Sequence, residues 1–173
     1  MGWQEGYCGL AKEADYATST VPTYYLPVGD FAAEEQTARI VVGPWGTSGQ
    51  EPRLASLLVR GQVQFEPQPD PFGLVLTGLL GAPQTTTVAS GIYRHVFEPR
   101  GDRPSYSVEG AIGGLAVRAL GAKFSSLTLA VPVGGFLQAT AEFVGRELRT
   151  IGTATASYAA EEAATWNNTT LTL

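Results

Sequence analysis

One cysteine, one histidine and one methionine occur among 173 residues, and charged residues make up only 16% of the chain. Each scarcity excludes something. Cys8 alone rules out an internal disulfide framework and reads as a small buried hydrophobe. His95 alone cannot build a zinc cluster with its usual ligand spacing. Any Ser-His-Asp or Cys-His system would have to use that same histidine. It lies in a strand-like run, Tyr93-Arg94-His95-Val96-Phe97, where packing or hydrogen bonding is its ordinary role. No G-x-S-x-G elbow, dinucleotide fingerprint or phosphate-binding G-x-x-x-x-G-K-[ST] is present. The acidic pairs Glu34-Glu35 and Glu161-Glu162 are neighbours that do not face one another, so they read as solvated charge. The chain is expected to be no enzyme and to hold no cofactor or metal.

Basic residues are few as well. Eleven Lys and Arg against sixteen Asp and Glu give a net charge of -5. Gripping nucleic acid requires clustered cations that displace counterions from phosphates. An acidic protein can stand beside DNA only as a surface that DNA slides past. No window reaches the apolar length of a membrane span, and the first ten residues lack the basic and apolar regions of a signal peptide. The reading is a chain made in the cytoplasm without membrane contact. The low charged fraction, against about 25% in typical soluble domains, leaves long uncharged surfaces of the kind that partners cover. Homo-oligomerisation follows as the plainest expectation, though a low-charge secreted β-protein would share this composition.

What the sequence does contain is mainly β pattern. Leu57, Val59, Val63 and Phe65 alternate with Arg60, Gln62, Gln64 and Glu66, which describes a sheet with one dry and one wet side. The period then changes. Asp70 as N-cap, Pro71 at the first helical position, apolar residues at helical spacing, and Gly81 with Pro83 predict a short helix over about 71–80. Beyond it, Ile92–Phe97, Ser105–Gly110, Leu115–Leu120, Lys123–Val131 and Phe136–Val144 read as strands. Turns at Pro99–Asp102, Gly113-Gly114, Gly121 and Gly134-Gly135 separate them. Regular short strands of this kind predict an antiparallel β-sandwich or barrel.

The expected organisation is an extended N-terminal arm over 1–28, a long loop over 29–56, a β-sandwich core with the helix over 57–150, and C-terminal strands over 151–173. The last are expected at Ala154–Tyr158 and Thr169–Leu173, and the ending on a β-like run reads as a fragment boundary. Within 1–28 only Val21–Val28 reads as a strand. In the loop the short run Ala38–Val42 is β-like and Gly43-Pro44-Trp45-Gly46 follows. The arm's Trp3, Tyr7, Tyr16, Tyr24 and Tyr25, with Trp45 of the loop, are candidates for contacts between subunits; the alternatives are an arm folded back on its own domain and a loop that lids the core. Such an arm is expected to be dispensable for the fold and required for polymerisation.

The middle and C-terminal parts resemble the tail tube proteins of long-tailed bacteriophages. The matching elements come in order. Arg60–Glu66 leads into the helix ending Leu79-Leu80-Gly81; Tyr93–Phe97 and Pro104–Val108 follow. Gly121–Leu129, Gly134–Leu137 and Glu142–Arg146 complete the set. The opening Gly6–Pro27 is also similar to that family's arm, whereas 29–53 has no counterpart. The resemblance implies a virion protein that polymerises as stacked hexameric rings into a conduit for DNA ejection, with the tape-measure protein inside and terminator and tip proteins at the ends. The polar residues Gln62, Gln64, Glu66, Gln138, Thr140 and Glu142 are candidates for the lumen, since a wall of this chemistry holds a polyanion weakly. The alternative is a monomeric β-sandwich binding module, for instance for a glycan, with Trp45 and Trp166 in one patch.

Overall fold

The computed structural model describes residues 6–26, 28–42, 51–112, 115–152 and 156–158. Its elements are β1 (Tyr7–Lys12), β2 (Tyr24–Leu26), β3 (Val28–Val42), β4 (Glu51–Phe65), α1 (Pro69–Leu80), β5 (Gln84–Ala89), β6 (Ile92–Val96), β7 (Tyr106–Ile112), β8 (Leu115–Ala130), β9 (Gln138–Gly145) and β10 (Glu147–Ile151). Every ladder is antiparallel. The fold is mainly β with one helix among the described residues, as the periodicities predict.

Hydrogen bonding follows the path β2-β1-β7-β8-β9-β4-β3, with β10 also on β8. This path folds into two layers. The first holds β2, β1, β7, the opening half of β8 and β10; the second holds β3, β4, β9 and the closing half of β8. Both β8 and the β9–β10 strand pass from one layer to the other. Strands that switch sheets at a bend are how sandwich corners are made.

Gly121 is the hinge of that bend. Its φ of +65° is a left-handed conformation that side chains resist, and the Tyr16 ring fills the space a Cβ would enter, 3.0 Å away. The expected turn here, with separate strands on either side, is therefore one continuous strand that changes layer. Across the ladder, the Arg146 N–H donates to the Leu120 carbonyl at 2.8 Å and holds the partner strand at the same corner.

The core lies between the layers. Cys8, Leu10, Leu26 and Val108 face Val63, Phe65, Ala141 and Phe143, and Phe124 joins them from the closing half of β8. Strand alternation dictates this: β9 buries Ala139, Ala141, Phe143 and Gly145 and turns the residues between them away from the core. The helix closes the side. Val75 is fully buried and Phe72, Leu74 and Leu79 pack partly against the same cluster.

The helix begins earlier than expected. Gln68, extended at φ -106° and ψ 145°, holds the cap position without capping the helix through its side chain, and Asp70 lies inside the first turn. Pro69 presets the helical φ, and Pro69 and Pro71 both lack an N–H, so fewer orphan donors need a cap.

Two larger expectations are corrected. Tyr7–Leu26 is no free arm: β1 is an inner strand between β2 and β7, and Cys8 and Leu10 are wholly buried. Residues 29–56 are no irregular loop either. β3 and β4 form a long ribbon paired from Val28↔Phe65 to Val42↔Glu51. Neither strand advertises itself, because β1 is short and β3 carries doublets, Ala32-Ala33 and Glu34-Glu35, that blur the alternation. Strand β5 was not expected at all. Of the expected C-terminal strands, Ala156–Tyr158 is not strand, and the rest lies outside the described residues.

Candidate assembly surfaces

The outer face of the second layer is assembled from residues that alternate with the core. On β4 these are Arg60, Gln62 and Gln64; on β9 they are Gln138, Thr140 and Glu142. Register sets them side by side: Gln62 opposite Glu142 and Gln64 opposite Thr140. Gln64 Nε2 donates to Gln138 Oε1 at 3.3 Å, and Ser126 Oγ donates to Glu142 Oε2 at 2.8 Å. Five of the six expected lumen candidates thus share one polar face, and Glu66 follows just past the end of β4. The face is wider than expected. β3 adds Asp30 and Glu34, which pair in register with Gln64 and Arg60, and β8 adds Ser126 and Thr128. Asp30 and Glu34 were missed because their strand was read as loop.

This four-stranded layer has two open borders. Among the described residues β3 pairs with β4 alone, and the β7 ladder on β8 ends at Ala122, leaving Lys123–Ala130 paired only to β9. Unpaired edges of this length invite pairing with another chain. Beside the layer, Phe31, Ala33, Gly61, Gly110, Val117 and Phe143 line a cleft of about 660 Å³.

Two ribbons stand apart from the layers. Past Glu35↔Val59, among the described residues, β3 and β4 pair only with each other. β5 and β6 form a second, separate hairpin, exposed along its whole length, including Val88, Ile92 and Tyr93. A lone two-stranded hairpin is marginal in water without further packing. His95 is on this hairpin, its Nδ1 2.8 Å from Thr85 Oγ1.

The aromatic contact candidates divide. Tyr7 and Tyr25 are buried and meet edge to face, with centroids 5.6 Å apart. Tyr16 and Tyr24 are exposed, at 56% and 40%. Trp3, Trp45 and Trp166 lie outside the described residues.

Buried polar groups secure the first layer. Glu109 accepts the Tyr7 hydroxyl at 2.5 Å and the Arg118 guanidinium at 2.6 Å. Glu13 accepts the Ser107 hydroxyl and the Gly121 and Ala17 N–H groups at 2.9–3.0 Å. Burial, with the Glu109 charge behind it, pushes the Cys8 thiol far above its ordinary range, so it stays protonated. On β10 the Arg149 hydrogen bond holds the exposed Glu147 carboxyl below its usual range. No group of three or more His, Cys, Asp or Glu that could hold a metal occurs among the described residues. Among them, too, no helix is long and apolar enough to cross a membrane.

One solved structure similar to the chain is the tail of an empty GTA particle with C6 symmetry: 9% identity, 73% of this chain and 82% of that chain covered, TM-score 0.42. No curated protein sequence matches. A model of the phage tail tube protein family matches residues 3–173, nearly the whole chain. The protein belongs to the phage tail tube protein family and is a structural component of a phage tail.

Proposed function

We propose that copies of the chain join edge to edge, the open border of β3 on one meeting Lys123–Ala130 of β8 on the next, to close a ring whose bore is lined by the polar face. The observation that carries this is a four-stranded layer with one wet face and two open borders. Strand direction supports it. The four strands alternate, so β3 and the closing half of β8 run opposite ways. A rotated copy therefore offers an antiparallel partner at every seam, and closure removes both edges.

Six copies give about 24 strands. At roughly 4.8 Å per strand the wall measures about 115 Å around, and a barrel tilt of roughly 35–45° widens it further. After side chains take roughly 5 Å on each side, half the spacing of packed sheets, the bore still admits a DNA duplex. Its lining of Gln, Thr, Ser and scattered carboxylates offers phosphates few contacts, so DNA passes without specific binding. Stacked rings form the tube inside the host cytoplasm, around a tape-measure protein, with terminator and tip proteins at its ends. Exposed Tyr16 and Tyr24, with Trp3 and Trp45, remain contacts between subunits in this reading.

Electron microscopy of the purified chain tests the proposal. Rings or tubes with six-fold averages are expected; dispersed single particles would instead favour a monomeric binding module.

A further inference from the structure

We propose that Lys123 of one copy and the acid pair Asp30 and Glu34 of the next form a charge clasp that selects the ring seam. The inference rests on the ring reading above and names the residues that decide which border meets which.

The two open borders carry opposite charge. From Asp30 to Thr37, β3 holds three acids, Asp30, Glu34 and Glu35, and no base. From Lys123 to Ala130, β8 holds one charge, Lys123 itself. Asp30, Glu34 and Lys123 are exposed, and neither ion pair among the described residues uses them. The Lys123 ammonium donates to the Arg103 carbonyl at 3.1 Å, which leaves its charge and two further donors for a partner. Glu34 accepts from Gln36 Nε2 at 2.9 Å and has acceptor sites to spare. Glu35 is different: its carboxylate accepts the Leu148 N–H of the same chain at 3.3 Å.

Register places the charges where a seam can join them. Glu34, Arg60, Val144 and Lys123 form one row across the layer; Asp30, Gln64, Thr140 and Thr128 form another. Residues opposite one another share a face, so both acids and the lysine belong to the wet side. A seam without stagger sets Lys123 of one copy against Glu34 of the next. Barrel tilt of roughly 35–45° over four strands displaces the seam by about four residues. Four residues towards the start of β3 sets the lysine against Asp30. Midway stands Ala32, from which both acids are diagonal neighbours within reach of a long side chain. The pairing of like borders is opposed. β3 against β3 gathers acids from both copies, and like charges directly opposite destabilise a ladder. Charge thus favours the heterologous seam, which closes a ring, over the two-fold seam, which stops at a dimer.

Two reversed variants test the clasp. Lys123→Glu turns the wet side of both borders acidic; Asp30→Lys with Glu34→Lys turns both basic. An exposed pair adds a factor of about five or less per seam, but six seams close together. Each variant alone is therefore expected to need about ten-fold more protein than the parent to form rings, by sedimentation and electron microscopy. Mixed in equal amounts, the two should form rings at the parent's concentration, alternating around an even-numbered ring. Rings from Lys123→Glu alone at that concentration would overturn the proposal. So would folded variants whose mixture yields no more rings than either alone, since the lysine then passes the acids by. Should Lys123→Glu fail to fold, by circular dichroism, Lys123→Gln is expected to blunt the salt dependence of ring formation, and unchanged salt dependence counts against the clasp. Absence of rings from the unmodified chain would defeat the ring reading itself, and the clasp with it.

Discussion

The ring of Phe31 occupies the place where residue 110 would carry a side chain. A Cβ built on Gly110 falls 2.2 Å from two of its ring carbons. Phe31 projects from β3 of the second layer, and Gly110 lies on β7 of the first, so the contact fastens the ribbon's base to the opposite sheet. Gly110→Ala must expel the ring or part the layers. The expected loss is about 1–3 kcal/mol in denaturant unfolding, typical of overpacking. Phe31→Ala should cost less in the Gly110→Ala background than in the parent, because the clash is then gone.

Glu13 offers a second measurable dependence. Its carboxylate satisfies two backbone N–H groups and a hydroxyl at the corner where β8 changes layer. Glu13→Ala leaves buried donors unpaired and should cost about 3 kcal/mol. Glu13→Gln keeps the oxygen that serves Ser107 and Gly121, and should cost roughly 1 kcal/mol. Equal losses for the two would show that side-chain volume, not acceptance, matters there.

Tyr106 gives the alkaline limb of stability. It is fully buried, donates to the Leu74 carbonyl at 3.0 Å, and burial pushes its pKa up to about 12 from 10.0. The folded chain therefore holds this proton more tightly than the unfolded chain. The contribution is complete below pH 10 and is lost as pH rises from 10 towards 12. Thermal melts of Tyr106→Phe should show a shallower decline across that window than the parent.

Lumen chemistry can be altered without touching the core. Gln138→Lys with Glu142→Gln makes each copy more positive by two charges on the exposed face. Tubes of this variant should retain duplex DNA at low salt and release it as salt rises, whereas parent tubes retain little. Equal retention by both would place this face outside the bore.

Deleting Met1–Tyr16 distinguishes an arm from a structural strand. Such a deletion removes β1 and leaves β2 and β7 without their shared partner. Loss of a cooperative melt is expected, rather than an intact β-fold that merely fails to polymerise.

That last case shows where the sequence is silent. β4, β9 and α1 are legible because one wet side imposes a period on consecutive residues, and the polar face follows from the same alternation. β1 is different. Its place depends on partners far along the chain, such as Tyr7 on Glu109, 102 residues apart. The Glu109–Arg118 pair likewise joins two strands in a way that composition cannot announce. β3 hides behind paired alanines and paired glutamates, although Phe31 belongs to the buried core. Gly121 misleads in another manner. A glycine between apolar runs signals a turn, yet here its freedom bends a strand that continues through the corner.

That corner has a mechanical consequence. Since β8 runs unbroken through both layers and β9 passes into β10 through Arg146 alone, an outward push on one sheet is carried to the other along peptide bonds. The two leaves cannot slide apart as side-chain-bonded slabs would; separating them requires unzipping a strand, which ties the wall and its backing into one unit that yields together or not at all.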